Sequence, residues 1–200
     1  MLVSGIKSRP LYAETLALDP KGARHLLVAS GAEALPVIAA ALIAAGGTLE
    51  QAPILLLLDA ASGPFPPPPG GPPVTVETYA DAATGIARVA GLLDAAHMGI
   101  RVYAVGPEQF LWEVAIAAEP FGFGKGEVAQ VVAGSIARKV FCTHCRTTND
   151  GVATNVHVCA GCGRRLLVRD HFSRRLGAFM AVQVDAEVPG EAVAIETLFP

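Results

Sequence analysis

Four cysteines carry the most specific chemistry in this chain. Cys142 and Cys145 form one C-x2-C pair, thirteen residues follow, and Cys159 and Cys162 form a second pair. Each pair suits a tight turn that aims both sulfurs the same way. Two such turns face to face present four thiolates tetrahedrally, the donor set of a structural zinc or a four-coordinate iron. Gly161 and Gly163 fit the backbone turns, and the neighbouring arginines lower the free-energy cost of gathering negative thiolates. The N-terminus, MLVSGIKSRP, has no apolar leader region, so the expected compartment is the cytoplasm. Disulfides are rare there, which favours metal over bridging.

One metal per chain on Cys142, Cys145, Cys159 and Cys162 is therefore expected. A rubredoxin-type iron site is normally packed round aromatic residues, whereas this segment offers mainly Phe141 and Phe172 among arginines. Zinc is preferred on that ground, holding together a segment too small to bury its own core, with iron as the alternative. His144 and His157 stand beside ligands, but four cysteines already close the tetrahedron.

Charge is concentrated in the same segment. Residues 138–175 hold Arg138, Lys139, Arg146, Arg164, Arg165, Arg169, Arg174 and Arg175 against only Asp150 and Asp170, although the whole chain carries a net charge of -3. Arg164, Arg165, Arg169, Arg174 and Arg175 are read as a docking surface for an acidic partner or as a solvated face. A nucleic-acid-binding zinc ribbon is a further alternative, opposed by the pI of about 5.9 and by Phe172 being the one aromatic between these arginines. His171, between Asp170 and Phe172 with Ser173 next, resembles an acid–base cluster only in sequence. No catalytic residue is assigned.

The elements that must position these residues follow from periodicity. Hydrophobic residues are 52% of the chain and charged ones 16%, enough for a substantial core. The longest apolar stretch, 34–45, contains Pro36 and is too short to span a membrane, and no membrane partner is expected. Apolar runs at 25–29, 54–58, 74–79, 100–105 and 128–133 read as strands; helical patterns at 33–45, 82–97 and 108–118 lie between them. The unbroken apolar runs suit a parallel sheet covered on both faces. Residues 62–73, SGPFPPPPGGPP, read as a polyproline-like surface loop. The fold class is α/β: a Rossmann-like parallel sheet in residues 1–135, followed by a small four-cysteine zinc-ribbon or rubredoxin-like domain in 136–200.

Two elements of the first domain carry a resemblance. Leu26 to Pro36 reads LLVASGAEALP and Val102 to Phe110 reads VYAVGPEQF. These resemble the pyridine-nucleotide domain of ferredoxin-reductase-like enzymes, where a strand enters a Gly-Gly-x-Gly-x-Thr-Pro turn and a later strand ends in Cys-Gly-Pro. Gly31, Pro36, Gly106 and Pro107 match; Ser30, Glu33, Leu35 and Val105 depart from the pattern. A carboxylate at Glu33 repels the pyrophosphate that the turn accepts in that family, so cofactor binding is expected to be lost. An NAD(P)H-binding electron-transfer protein is the alternative.

The four cysteines followed by LLVRDHFSRRLGAFMAVQVDAE extend the resemblance over nearly the whole chain. The chain is similar to the small-subunit (DmmA-like) family of bacterial dimethylamine monooxygenase, related to haem-dependent oxidative N-demethylases. That resemblance implies a multicomponent oxidoreductase using NADPH and oxygen to convert dimethylamine into methylamine and formaldehyde. It also implies that haem, FMN and iron–sulfur centres are held by haem-binding and reductase partner subunits, with this chain acting in assembly.

Overall fold

A computed structural model describes residues 8–49, 52–124, 126–190 and 193–200. Its contacts divide the chain into two compact units, one spanning Tyr12–Gly134 and the other Ser135–Pro200 together with the N-terminal residues up to Leu11.

The first unit is a doubly wound α/β sheet. Strands β1 (Arg24–Ala29), β2 (Ile54–Asp59), β3 (Val74–Tyr79), β4 (Ile100–Gly106) and β5 (Val128–Val132) are interleaved with helices α1 (Ala34–Ala45), α2 (Ala82–Asp94) and α3 (Glu108–Ala118). The strands lie in the order β3-β2-β1-β4-β5, all parallel. Period-two alternation sends Leu27, Ala29, Leu56 and Leu58 to the α1 face and Leu26, Val28, Leu57 and Val102 to the face under α2 and α3. Both faces are covered, which is why these strands read as continuous apolar runs.

Local signals set the helix ends. Asp81 accepts the Thr84 N–H at 2.8 Å and so caps α2. The helical pattern expected to reach residue 97 stops at Asp94, and Met98, beyond it, is 98% exposed. Pro107 occupies the cap of α3, one position before the first helical residue.

The proline-rich stretch makes the β2-to-β3 crossover. Parallel neighbours need a connection of a dozen or more residues, usually a helix. Here a short 3-10 turn (Ala60–Ser62) and the proline run do that work. Phe65 packs on the α1-side core and Pro72 is buried, so the loop is not wholly solvated.

The second unit is a five-stranded mixed sheet of β6 (Arg138–Cys142), β7 (Thr148–Val152), β8 (Val156–Val158), β9 (Arg165–Ser173) and β10 (Ala178–Gln183), ordered β7-β6-β10-β9-β8. Only β6 and β10 pair in parallel. Contrary to the expectation of a segment without its own core, it buries Val140, Val152, Leu166, Val168, Phe179, Ala181 and Phe199 beside the cysteines. Phe179 and Phe199 enter from chain far beyond the last cysteine and supply the missing apolar volume.

Both chain ends complete this unit. Ser8 bridges to His171, donating its N–H to Asp170 O and accepting from Phe172 N–H. Residues 8–11 thus lie with the second unit, although the sequence expectation had them in the first; residues 1–7 lie outside the described residues. Arg138 is buried between the rings of Phe179 and Phe199, 3.8 and 3.6 Å from their centroids, and donates to Asp170 at 3.0 Å. Among the described residues, no helix is long and apolar enough to cross a membrane.

Candidate metal centre

Each C-x2-C pair sits at the end of a strand. Cys142 closes β6, and its turn leads into β7; Cys159 follows β8, and its turn leads into β9. The two turns repeat one hydrogen-bond pattern. Cys142 N–H donates to Thr147 O and Arg146 N–H to Cys142 O; Cys159 N–H donates to Arg164 O and Gly163 N–H to Cys159 O. The fifth position of each turn is left-handed, with φ of 69° at Gly163 and 65° at Arg146. Glycine takes that conformation freely, whereas arginine pays for it with steric strain.

The four sulfurs converge within 4.8 Å of one another. Cys142 and Cys162 Sγ are 3.9 Å apart, and Cys145 and Cys159 Sγ 3.6 Å. A tetrahedron with metal–sulfur distances of ~2.3 Å has edges of ~3.8 Å, whereas a disulfide needs ~2.05 Å. All four cysteines are free, and the spacing fits one tetrahedral ion. His144 is exposed with Nδ1 3.2 Å from an Arg164 nitrogen, and neither it nor His157 joins the donor group.

The turns also prepare the sulfurs electrostatically. Burial pushes the Cys142 thiol up to about 11, against N–H donation from Cys145 and His144. Hydrogen bonds from the Thr147 hydroxyl and N–H draw Cys145 down to about 6. Burial opposes ionisation of Cys159, but the N–H groups of Cys162 and Gly161 outweigh it and leave that thiol below its usual range. A bound cation favours the thiolate at all four positions.

Close packing of the turns depends on Gly161. A Cβ there would lie 2.1 Å from Thr147 Oγ1 and 3.2 Å from Cys145 Sγ. Thr147 and the buried Asn149 next to the cysteines were not singled out by sequence reasoning. Their signal is weak, a polar strand TNDGV in which Asn149 and Val152 are nonetheless buried. The aromatic argument against iron also loses force, because Phe172 and Phe179 stack edge to face at 4.8 Å in the same core. The donor set and its spacing fit zinc and iron alike.

The arginines do not form one cluster. Arg165 and Arg169 share a face of β9 with Leu167, whereas Arg164 at the turn donates to Gln183 at 2.9 Å. Arg174 and Arg175 lie in the turn between β9 and β10. His171 is exposed, while Asp170 on the opposite face of the strand is engaged by Arg138 and Arg9. The sequence neighbours Asp170 and His171 therefore do not converge.

The other residues singled out by sequence lie at the C-terminal edge of the parallel sheet. Strand order reverses between β1 and β4, the place where doubly wound folds bind ligands. Here the two loops close on each other: Ser30 N–H donates to Val105 O at 3.0 Å, and a Cβ on Gly106 would meet Ser30 O at 2.8 Å. Ala34 and Leu35 N–H groups are taken by Gly31 and Ala32 carbonyls, and Pro36 has none. Glu33 Oε2 lies 3.1 Å from where a Gly31 Cβ would stand. Ser30 Oγ donates to Asp59, adding a second carboxylate to this edge.

Comparison with known proteins adds a family. Residues 4–128 match the family described as dimethylamine monooxygenase subunit DmmA-like, N-terminal domain, and residues 139–182 match its C-terminal domain. The chain is 36% identical over 98 residues to the haem-dependent oxidative N-demethylase delta subunit of Ectopseudomonas mendocina (strain ymp). That alignment covers 49% of this chain and 56% of the relative, so the chain spans about half the length of the curated relative it matches. No solved structure matches the chain. With both domain families matched in order along most of its length, this chain belongs to the DmmA-like family of dimethylamine monooxygenase subunits.

Proposed function

We propose that this chain is a zinc-binding, non-catalytic subunit of a cytoplasmic, multicomponent dimethylamine monooxygenase. Its role is assembly. The complex oxidises dimethylamine to methylamine and formaldehyde with NADPH and oxygen, and partner subunits hold the haem, FMN and iron–sulfur centres. The observation that carries the proposal is the closed set of four sulfurs at tetrahedral spacing inside the matched C-terminal domain. A four-thiolate set leaves no open coordination position, as suits a structural ion.

Within that proposal Cys142, Cys145, Cys159 and Cys162 hold the ion. Zinc there locks the two turns and the strands leaving them, β7 and β9. Arg165 and Arg169, carried on β9, then meet an acidic surface of a partner, with Arg164, Arg174 and Arg175 at the two ends of the strand. Such contacts weaken with salt and set recognition more than affinity. At the sheet edge, Ser30, Gly31, Glu33, Gly106 and Pro107 form a nucleotide turn that no longer binds. The Glu33 carboxylate over Gly31 and the engaged N–H groups of Ala34 and Leu35 support this, because a pyrophosphate needs open donors and no nearby anion. The name of the relative, a delta subunit, supports a multi-subunit setting.

Elemental analysis with a visible spectrum of the purified chain tests the proposal, together with co-purification of partner subunits. One colourless zinc per chain, and co-purification lost on joint substitution of Arg165 and Arg169, are expected. Iron with a thiolate charge-transfer band would overturn the scaffold role in favour of electron transfer.

A further inference from the structure

Asn149 is the polar side chain at the junction of the two cysteine turns. It lies on β7 opposite Val140 and is 4% exposed. Its Oδ1 accepts the Ala160 N–H at 2.8 Å, inside the second turn. Its Nδ2 faces Val140 O at 3.4 Å, Thr147 O at 3.5 Å and Cys159 Sγ at 3.8 Å. A single amide therefore touches the strand that delivers Cys142, the exit of the first turn, the backbone of the second turn and one of the four sulfurs.

The geometry of an amide makes these contacts interdependent. Oδ1 and Nδ2 are held in one plane, so anchoring Oδ1 on Ala160 fixes where Nδ2 points. Ala160 immediately follows Cys159, so the same side chain grips both the turn and its sulfur. A buried polar group is retained when its partners are satisfied, and here both ends of the amide are occupied. A neutral N–H directed at a thiolate also withdraws electron density that the sulfur otherwise offers a cation. Groups outside the ligand set act on metal sites in this way.

We infer that Asn149 is a positioning residue of the four-cysteine centre: it presets the separation of the two turns through Ala160 and tunes the Cys159 thiolate through Nδ2. This rests on the metal-binding proposal above, and the test separates the two. Two variants of the full chain discriminate. Asn149→Asp keeps an oxygen for Ala160 N–H but turns the donor into an anionic oxygen facing two carbonyls and a sulfur. Asn149→Leu keeps the volume and removes every hydrogen bond, so it carries the test if the charged variant does not fold.

The probe is cobalt(II), titrated against a chelator of known affinity and followed through the sulfur-to-cobalt charge-transfer band. Wild type should load with a four-thiolate spectrum. Both variants should lose about 10- to 100-fold in affinity, the range typical of residues behind a ligand set, and the band should move to lower energy as Cys159 loses its N–H donor. A wild-type chain that gives no thiolate band overturns the metal proposal and this inference together. If wild type binds and the variants match it in affinity, Asn149 does not position the centre. Weaker binding with an unmoved band in both variants would assign it a packing role alone and overturn the inference, leaving the metal proposal intact.

Discussion

Replacing Gly161 by alanine should wedge the two cysteine turns apart. The new Cβ would stand 2.1 Å from Thr147 Oγ1 and 2.8 Å from Thr147 Cβ, where ordinary contact begins at 3.4 Å. Rotation about χ1 can swing Oγ1 aside, but the Thr147 Cβ is fixed by its backbone. About 0.6 Å of separation between the turns is then required, the difference between 2.8 and 3.4 Å. A metal–sulfur shell tolerates only ~0.2 Å, so the strain falls on the donor set. Overpacking of this kind costs about 1–3 kcal/mol, which corresponds to about 5- to 150-fold weaker metal binding. Chelator competition on the purified chain measures it. Gly163→Ala is the internal control: it has the left-handed φ of 69° but nothing within 4 Å of a Cβ. Thr147→Gly removes the opposing atoms, so it should relieve Gly161→Ala in a double-mutant cycle. Effects of Gly161→Ala and Thr147→Gly that add within ~0.5 kcal/mol would refute the steric argument.

Two further outcomes follow from single side chains. Arg146 holds a left-handed φ of 65° where the second turn has Gly163, so Arg146→Gly should raise unfolding stability by about 1 kcal/mol in urea; no gain, or a loss, would show that its side chain contributes more than the strain removes. His25 is buried with Nδ1 3.1 Å from the Tyr103 hydroxyl, and desolvation holds its folded pKa below the usual 6.5, against the Gly22 backbone, which favours the charged ring. The unfolded chain therefore takes up the proton first as pH falls. Stability from this group is present above about pH 6.5 and erodes below it, and denaturation curves at pH 8 and pH 5 should differ less in His25→Gln than in wild type. An unchanged difference would remove His25 as the cause.

Periodicity and spacing were sufficient for much of this protein. Unbroken short runs such as ILLLLD, bounded by turn residues, suit strands covered on both faces, and the alternation of strands with helices implies parallel crossovers. The C-x2-C spacing identifies the metal candidates because a tight turn is local and its two sulfurs are neighbours by construction. The departures Ser30 and Glu33 from the nucleotide pattern were equally legible, since they are changes of residue type at fixed offsets. Helix ends were less so: the pattern reaching residue 97 frays at Asp94, where exposed side chains no longer reward continuation.

The remainder depends on pairings between distant parts of the chain, which no local spacing encodes. Ser8 meets Phe172, Arg138 is closed between Phe179 and Phe199, and Asn149 meets Ala160 only because the strands bring them together. The same holds for the arginines of residues 164–175, close in sequence yet spread from one end of β9 to the other, with Arg165 and Arg169 on the strand and Arg164, Arg174 and Arg175 in the turns that flank it. Asp170 is turned inward to Arg138 while His171 is left outside. Sequence alone determined which residues can ligate and where the chain turns. Tertiary structure decided which of them meet, because burial and strand register act between residues far apart in the chain.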